Sequence, residues 1–290
     1  MKKVAFITYN EESEMAKPDL LLVEPLKKQG YDVEFISWDE KGVLWTEFDA
    51  VVLRSCWDYH IRFKEFSKWL DQLKKNNVCV WNSIDVVKWN ANKKYLLDLQ
   101  SQGISIVPTL IVKQKTTPRL KKIIEDNKWS EIIIKPVIGA SSHDISRIKL
   151  EEVDSMKKEF SRMLNRTDVI IQPFMKEVLL TGEYSFIFFD DDYSHAVLKT
   201  PIYGDFRTQK KYGAIEISTQ PNKNMIKQVR NIIKTAMKLL KSRFLYARVD
   251  CINCNGKMLL MELELIEPYL FFEHDKQATM RFVDAFKKLL

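Results

Sequence analysis

The sequence predicts an α/β architecture over its first third and an α+β arrangement beyond it, and three observations carry that expectation. Apolar strand-like runs alternate with amphipathic helix-like runs from residue 2 to residue 81, the pattern of an open parallel sheet with helices between its strands. The Asn-rich stretch 82–92 (NSIDVVKWNAN) reads as a polar connection at which a second segment begins. Two runs with period-two alternation, Val249 to Ile252 and Met258 to Leu265, flank the turn residues Asn253-Cys254-Asn255-Gly256 and read as a hairpin. At 290 residues the chain fits two domains or one three-lobed unit.

Bulk properties exclude several classes. Hydrophobic residues make up 46% and charged residues 29%, an ordinary globular balance rather than a disordered one. No apolar run reaches the roughly 18 residues of a membrane span, and the start MKKVAFITYNEE turns polar too soon for a secretory signal, so a cytoplasmic protein is expected. The net charge of +7, from 46 Lys and Arg against 39 Asp and Glu, is spread along the chain, and its lysine pairs give no basic patch for a nucleic acid. The 4 cysteines lack the spacing of a disulfide framework, and Cys251-x-x-Cys254 has neither a second pair nor a His cluster to complete a zinc site, so it reads as part of a hairpin turn.

Taken in order, residues 2–9 form the opening strand, and Leu20 to Gln29 a helix that Pro25 kinks or shortens. Tyr31 to Ser37 and Ala50 to Leu53 are strands, Phe63 to Leu73 is an amphipathic helix and Val78 to Trp81 a fourth strand. Ligands of open αβ sheets sit at the carboxyl ends of strands, which makes Arg54, Trp57 and Asp58, after the third strand, candidates for a charged substrate; Trp57 packing and an Arg54–Asp58 pair are the structural alternative. Further on come a helix from Lys93 to Gln100, a short strand over 106–112, a helix from Leu120 to Asn127 and a strand from Glu131 to Pro136. That last strand places Lys135 before the small, hydroxyl-rich run Gly139-Ala140-Ser141-Ser142, whose backbone N–H groups suit phosphate oxygens. A helix over Val153–Leu164, strands over Val169–Gln172, Glu183–Phe189 and His195–Lys199, a helix over Met225–Leu240 and a closing helix over Phe282–Leu290 complete the chain. His195 has no ligand partner at useful spacing and reads as structural.

The hairpin carries the densest chemistry. Alternation puts Glu262 and Glu264 on one face, opposite Met261, Leu263 and Leu265, and Asp250 on the partner strand faces them. Three such carboxylates repel one another unless a cation neutralises them, and an oxygen-only donor set suits Mg²⁺.

With these motifs in order, the chain resembles the ATP-grasp superfamily, in particular its RimK-like and glutathione-synthetase-like ligases. The signals are WN-x2-K-x-YL, IIKP-x-IGASS, QPF-x3-V, SFIFF, GDFR-x-Q-x2-YG and MELELIEP, which are similar to those of the cyclo-ligases that form D-cycloserine from O-ureido-serine. The resemblance implies a pre-ATP-grasp αβ domain (1–88) followed by an ATP-grasp central lobe (89–170) and C-terminal lobe (171–290). It implies that Lys93 and Lys135 hold the α and β phosphates, with Ser141 and Ser142 on a phosphate lid. Gln172, Phe174 and Met175 match the adenine hinge and Glu183 the ribose acid, while Asp250, Glu262 and Glu264 match the Mg²⁺ ligands, with Mn²⁺ as the alternative ion. Arg207 and Arg248 fall where the family places cations near the transferred phosphoryl group. Glu264 departs from the Asn common at its position. The implied reaction is carboxylate activation by ATP followed by amine attack on an acyl phosphate, with the loops 139–143 and 204–213 excluding water. The expected partners are a small-molecule carboxylate and amine, with a homodimer as the oligomeric option; ligation to a peptide or protein tail, or a silent ATP-binding regulator, are the alternatives.

Overall fold

The computed structural model describes residues 1–10, 14–140, 142 and 144–289. Strands β1 (Lys2–Thr8), β2 (Tyr31–Ser37), β3 (Ala50–Leu53) and β4 (Val80–Trp81) pair in parallel in the order β2-β1-β3-β4. Helix α1 (Val23–Lys28) follows a 3-10 stretch, Glu14–Leu22, so the expected helix over 20–29 is shorter. Pro25 falls in its first turn, where a backbone N–H has no intrahelical partner to lose. Helix α2 (Phe63–Lys75) buries Phe66, Trp69, Leu70 and Leu73, the i, i+3, i+4, i+7 stripe of a helix covering a sheet.

The stretch 82–92, expected as a polar connection, holds helix α3 (Ile84–Ala91) and is largely buried. Its asparagines are long-range connectors. The Asn82 amide donates to Tyr246 O at 2.9 Å and Leu265 O at 2.8 Å, and its oxygen accepts from Leu245 N at 2.6 Å. Asn90 donates to Leu263 O at 2.8 Å and accepts from Leu265 N at 2.8 Å. Helix α4 (Tyr95–Ser101) adds the Tyr95 hydroxyl, which accepts from Leu263 N at 2.9 Å.

The second sheet comprises β5 (Leu110–Val112), β6 (Glu131–Pro136), β7 (Ser146–Lys149) and β8 (Val169–Pro173), antiparallel in the order β5-β8-β6-β7. Strand β7 was not expected. Helices α5 (Leu120–Asp126) and α6 (Lys157–Arg166) cover it through Leu120, Ile124, Phe160, Met163 and Leu164. The short helix α7 (Glu177–Leu180) leads to a third sheet of β9 (Glu183–Phe189), β10 (Asp192–Thr200), β11 (Ile215–Thr219), β12 (Tyr246–Cys254) and β13 (Lys257–Glu264), in the order β11-β10-β9-β12-β13. Helix α8 (Lys223–Leu240), capped by Asn222, packs on one face of it, and α9 (Ala278–Leu289) joins the other face to the first sheet. β13 is an edge strand, and Asn90 and Tyr95 satisfy the outward backbone groups such an edge exposes.

Two core clusters bear on the expected boundaries. Val4, Phe6 and Val52 of the first sheet share a core with Ile187, Val197, Tyr246 and Phe282. Tyr95, Leu96, Leu99 and Ile106, assigned by those boundaries to the central lobe, pack instead with Phe186, Val249 and Leu260 in the core of the third sheet.

Candidate active site

The hairpin β12–β13 forms as its alternation predicts, turning through Asn255 (φ 52°) and Gly256 (φ 84°), left-handed conformations that Asn and Gly accept most readily. Asp250 lies opposite Glu262 and Arg248 opposite Glu264. A bulge interrupts the register between Asp250 and Cys251, so Met261 is not opposite Glu262, as strict alternation has it, but shares the half-buried face and lines a cavity with it.

The carboxylates do not close on a common point. Among the described residues no group of three or more His, Cys, Asp or Glu side chains is arranged to hold a metal ion. Each acid is turned onto a cation instead. Arg248 donates from Nε to both Asp250 oxygens at 3.1 and 3.2 Å, from Nη2 to Asp250 at 3.0 Å and to Glu264, and from Nη1 to Tyr269 O at 3.3 Å. Lys93 pairs with Glu262 and donates to Gly139 O at 2.7 Å. Burial raises the affinity of Asp250 for a proton, but Arg248 and Lys199 outweigh it and hold the carboxyl below its ordinary value. Glu262 is likewise held low, by Lys93 and Lys135 against burial, whereas burial pushes Glu264 up to about 7 despite Arg248. As donor chemistry, three carboxylates on adjacent strands fit a hard divalent cation, with Glu264 the acid least compensated by protein cations.

Two cavities, of about 900 and 780 Å³ counting space open to solvent, adjoin at Lys135, Ser142, Gln209, Arg248, Glu262 and Glu264. The second lies between the two antiparallel sheets. Its wall includes Gln172, Phe174, Met175, Phe206 and Met261, an apolar slot of the kind that takes a planar base. Phe174 meets Phe206 edge-on at 6.2 Å and carries the Arg147 guanidinium 3.8 Å from its ring centre. The Gln172 side chain donates to Thr109 at 2.8 Å, and the Phe174 N–H is already bonded to Glu131 O at 2.9 Å, so that hinge amide is engaged within the sheet. Lys135 faces both cavities, and burial lowers its ammonium below the ordinary value against the pull of Glu262. Ser142 lines both cavities, while Ser141 lies outside the described residues.

Three residues to which the sequence alone assigns no individual role complete this cavity. Lys199, only 4% exposed, donates to Glu183 at 2.6 Å and lies 3.6 Å from Asp250. Thr208 donates to the other Glu183 oxygen at 2.7 Å. Gln209 lines both cavities. Strict counting across the turn at 190–191 sets Leu198 opposite Glu183; a bulge between Tyr193 and His195 shifts the register by one and places Lys199 there. Arg207 lines the same cavity but is held at the loop, forked onto Asp205 at 2.7 to 3.2 Å and stacked 3.6 Å over Tyr212.

Of the three expected substrate residues only Trp57 reaches a cavity, the first one. Arg54 is 1% exposed and buried against Asp19 at 2.8 Å, Pro268 O at 3.2 Å and the Tyr246 ring, not against Asp58. Asp58 accepts from Trp38 at 2.7 Å and Arg62 at 3.5 Å, away from both cavities. Trp57 donates to Glu267 O at 3.1 Å, and Glu267, which the sequence reading passed over, lines the first cavity at 9% exposure. His195 is structural as expected: buried, it bonds Ser194 at 2.9 Å and Leu270 O at 3.0 Å.

An apolar slot beside buried lysines and an acidic hairpin, between two antiparallel sheets, fits an ATP-dependent ligase of the ATP-grasp class. The model of the prokaryotic glutathione synthetase ATP-grasp domain matches residues 95–277, more than half of the chain, and the chain belongs to that family. Residues 4–82 match the N-terminal domain of the D-cycloserine synthetase DcsG. The cycloserine biosynthesis protein DcsG of Streptomyces lavendulae is 25% identical over 93% of this chain and 92% of its own. The crystal structure of D-cycloserine synthetase DcsG superposes with a TM-score of 0.91 at 24% identity, covering 99% of each chain. The D-alanine–D-alanine ligase of Bacillus anthracis complexed with ATP gives 0.74 at 16%, over 99% of this chain and 97% of that one. The protein is thus an enzyme that forms amide C–N bonds at the expense of ATP, in a family that uses ATP with a divalent metal. No helix among the described residues is long and apolar enough to cross a membrane.

Proposed function

We propose that this cytoplasmic enzyme activates the carboxylate of a small amino-acid-like molecule as an acyl phosphate and closes a ring by attack of a nitrogen in the same molecule. The adjoining cavities support it best: a base-sized slot meets a second, aromatic-walled space at Arg248, Glu262 and Glu264, so a phosphoryl group held at that seam is within reach of a substrate in the second space. The cyclic product in the name of the D-cycloserine synthetase relatives supports ring closure.

In this reading the substrate carboxylate oxygen attacks the γ-phosphorus and the bond to the leaving ADP oxygen breaks. The nitrogen then attacks the acyl carbon, phosphate departs and the nitrogen loses its proton. Gln172 to Met175 bind adenine, Glu183 the ribose hydroxyls, and Lys135 from the same cavity with Lys93 from the adjoining one the α and β phosphates as point charges. Arg248, fixed by Asp250 and Tyr269, presents charge to the transferred group, and Arg207 reaches it by leaving Asp205. Asp250, Glu262 and Glu264 are the residues that would hold Mg²⁺, or Mn²⁺, whose charge offsets that of the triphosphate when bound.

The test is phosphate release from ATP in MgCl₂ with amino acids that carry a second nitrogen, O-ureido-serine among them, followed by mass spectrometry. Phosphate release with one such compound and no added amine, giving a ring-closed product, is expected. Release that requires a separate amine or a peptide tail would overturn ring closure in favour of intermolecular ligation.

A further inference from the structure

Glu267 is the carboxyl that the mechanism above leaves unused. It is more than nine-tenths buried and lines the cavity on the side of the N-terminal sheet. The two other acids of that cavity are matched, Glu262 by Lys93 and Glu264 by Arg248. The Glu267 carboxylate has no ion pair, and no other side chain hydrogen-bonds to it, among the described residues. The Tyr59 hydroxyl, near enough to interact electrostatically with Glu267, has no hydrogen-bond partner among those residues either, and Tyr59 lines the same cavity at 4% exposure. Lys93 and Arg248 act on this carboxyl without an ion pair and do not offset its burial, so it lacks the contacting counter-charge that a ligand would supply.

The surroundings hold this group in place. Trp57 donates to the Glu267 carbonyl at 3.1 Å, and buried Arg54 donates to the next carbonyl, Pro268 O, at 3.2 Å. The loop after β3 therefore fixes the backbone on which the acid is mounted, a second layer of support of the kind a binding site needs. Trp57 and Tyr269 add aromatic walls to the same space. The cavity is polarised: Lys135 and Arg248 line both cavities at their seam, whereas Glu267 lines the first alone.

We infer that Glu267, with Tyr59 beside it, binds the ammonium group of the substrate, so that a zwitterionic α-amino acid lies with its carboxylate toward Arg248 and its ammonium toward the N-terminal sheet. This rests on the ligase reading above and adds the substrate's charge pattern to it. Arg54 and Trp57 then serve the substrate site as positioning residues, through the backbone of 267–268.

The probes are 2,3-diaminopropionate, asparagine and O-ureido-serine in both configurations, each beside its counterpart with hydrogen in place of the α-ammonium group, in the phosphate-release assay with the full chain. The wild type should turn over an ammonium-bearing compound with a KM roughly ten- to a hundredfold below that of its des-amino counterpart, the range expected for a hydrogen bond to a charged group. Glu267→Gln should raise the KM of the ammonium compound by a similar factor, leave that of the des-amino counterpart in place, and keep the affinity for ADP. Equal KM values for the two compounds in the wild type overturn the anchor without recourse to any variant, as does an unchanged KM in a folded Glu267→Gln. No turnover with any probe refutes the small-substrate reading and the anchor with it, whereas turnover with equal KM values refutes the anchor alone.

Discussion

Replacing Lys199 by methionine removes the cation that joins two carboxylates in the cavity between the two antiparallel sheets. Its ammonium lies 2.6 Å from Glu183 and 3.6 Å from Asp250, and the three side chains are 5%, 10% and 4% exposed. Burial alone would lower the Lys199 ammonium, yet Asp250 and Glu183 keep it above its ordinary value, so the charge is firmly held at neutral pH. Taking one partner from a buried pair leaves an uncompensated charge and costs about 3–5 kcal/mol. That is a large part of the roughly 5–15 kcal/mol by which a domain is stable. The assay is urea unfolding at pH 7.5 in a double-mutant cycle with Glu183→Gln, which keeps the Thr208 contact while removing the charge. Lys199→Met alone should lose about 3–5 kcal/mol, and adding Glu183→Gln should recover at least about 1 kcal/mol of it. The single variant should also bind ADP more weakly, because Glu183 loses the partner that orients it. A loss below about 1 kcal/mol in Lys199→Met, or a further loss on adding Glu183→Gln, would refute a buried charge relay at this place.

Lys135→Met should weaken ADP binding in calorimetric titration while keeping the fold; unchanged affinity would reduce Lys135 to a strand-end residue. Arg207→Lys and Arg207→Ala should both bind ADP normally yet lose roughly a hundredfold or more in phosphate release, since an ammonium cannot replace a forked, stacked guanidinium; full activity in Arg207→Lys would sink that role. Glu262→Gln is expected to abolish most turnover with the fold intact, and near-native activity at limiting Mg²⁺ would contradict a metal-binding role for Glu262. His195 supplies the pH test: burial, with Arg281 adding to it and Asp275 opposing, lowers it from 6.5 to about 4, so the unfolded chain takes up a proton more readily than the native one. Stability from this source is complete above about pH 6.5 and falls by about 3 kcal/mol toward pH 4; a His195→Gln variant whose unfolding free energy parallels the wild type between pH 7 and 4.5 would refute it.

What the sequence made legible follows from the range of each interaction. The β12–β13 hairpin is local: alternation, an Asn-Gly turn and short strands determine it, and Asp250 and Glu262 face each other as expected. The bulge that turns Met261 into the cavity breaks the very period used to read it. Asn82 and Asn90 looked like linker residues because their partners, Tyr246, Leu263 and Leu265, lie more than 160 residues away. Arg54 and Asp58 were placed correctly after β3, but position in a loop does not say which way a side chain turns; Asp19 and Pro268, remote in sequence, claimed Arg54. Neither Lys199 nor Glu267 was legible in this way: the bulge between Tyr193 and His195 that sets Lys199 opposite Glu183 leaves no mark in the alternation, and Glu267 matters for the absence of a partner that only packing reveals.

The charges of the site belong to one system rather than to separate subsites. Lys93, Lys135, Lys199 and Arg248 face Glu183, Asp250, Glu262, Glu264 and Glu267, four cations against five acids, with Glu264 and Glu267 both pushed upward by burial. Before any nucleotide arrives, the cleft is therefore close to electroneutral by internal pairing. A triphosphate entering it adds several negative charges to a partly desolvated space in which no protein cation stands idle: Lys93 is committed to Glu262, Arg248 to Asp250 and Glu264, Lys199 to Glu183, and Arg207 to Asp205. Lys135, whose ammonium is lowered by burial and has no ion pair among the described residues, is the exception and thus the cation best able to meet phosphate without first breaking another bond. Every further phosphate contact exchanges a partner, releasing a carboxylate as it engages a lysine or arginine. The affinity of the site for nucleotide is then set by the difference between two sets of ion pairs, and Lys199, which holds two acids at once, is the charge whose removal should act on stability and binding together.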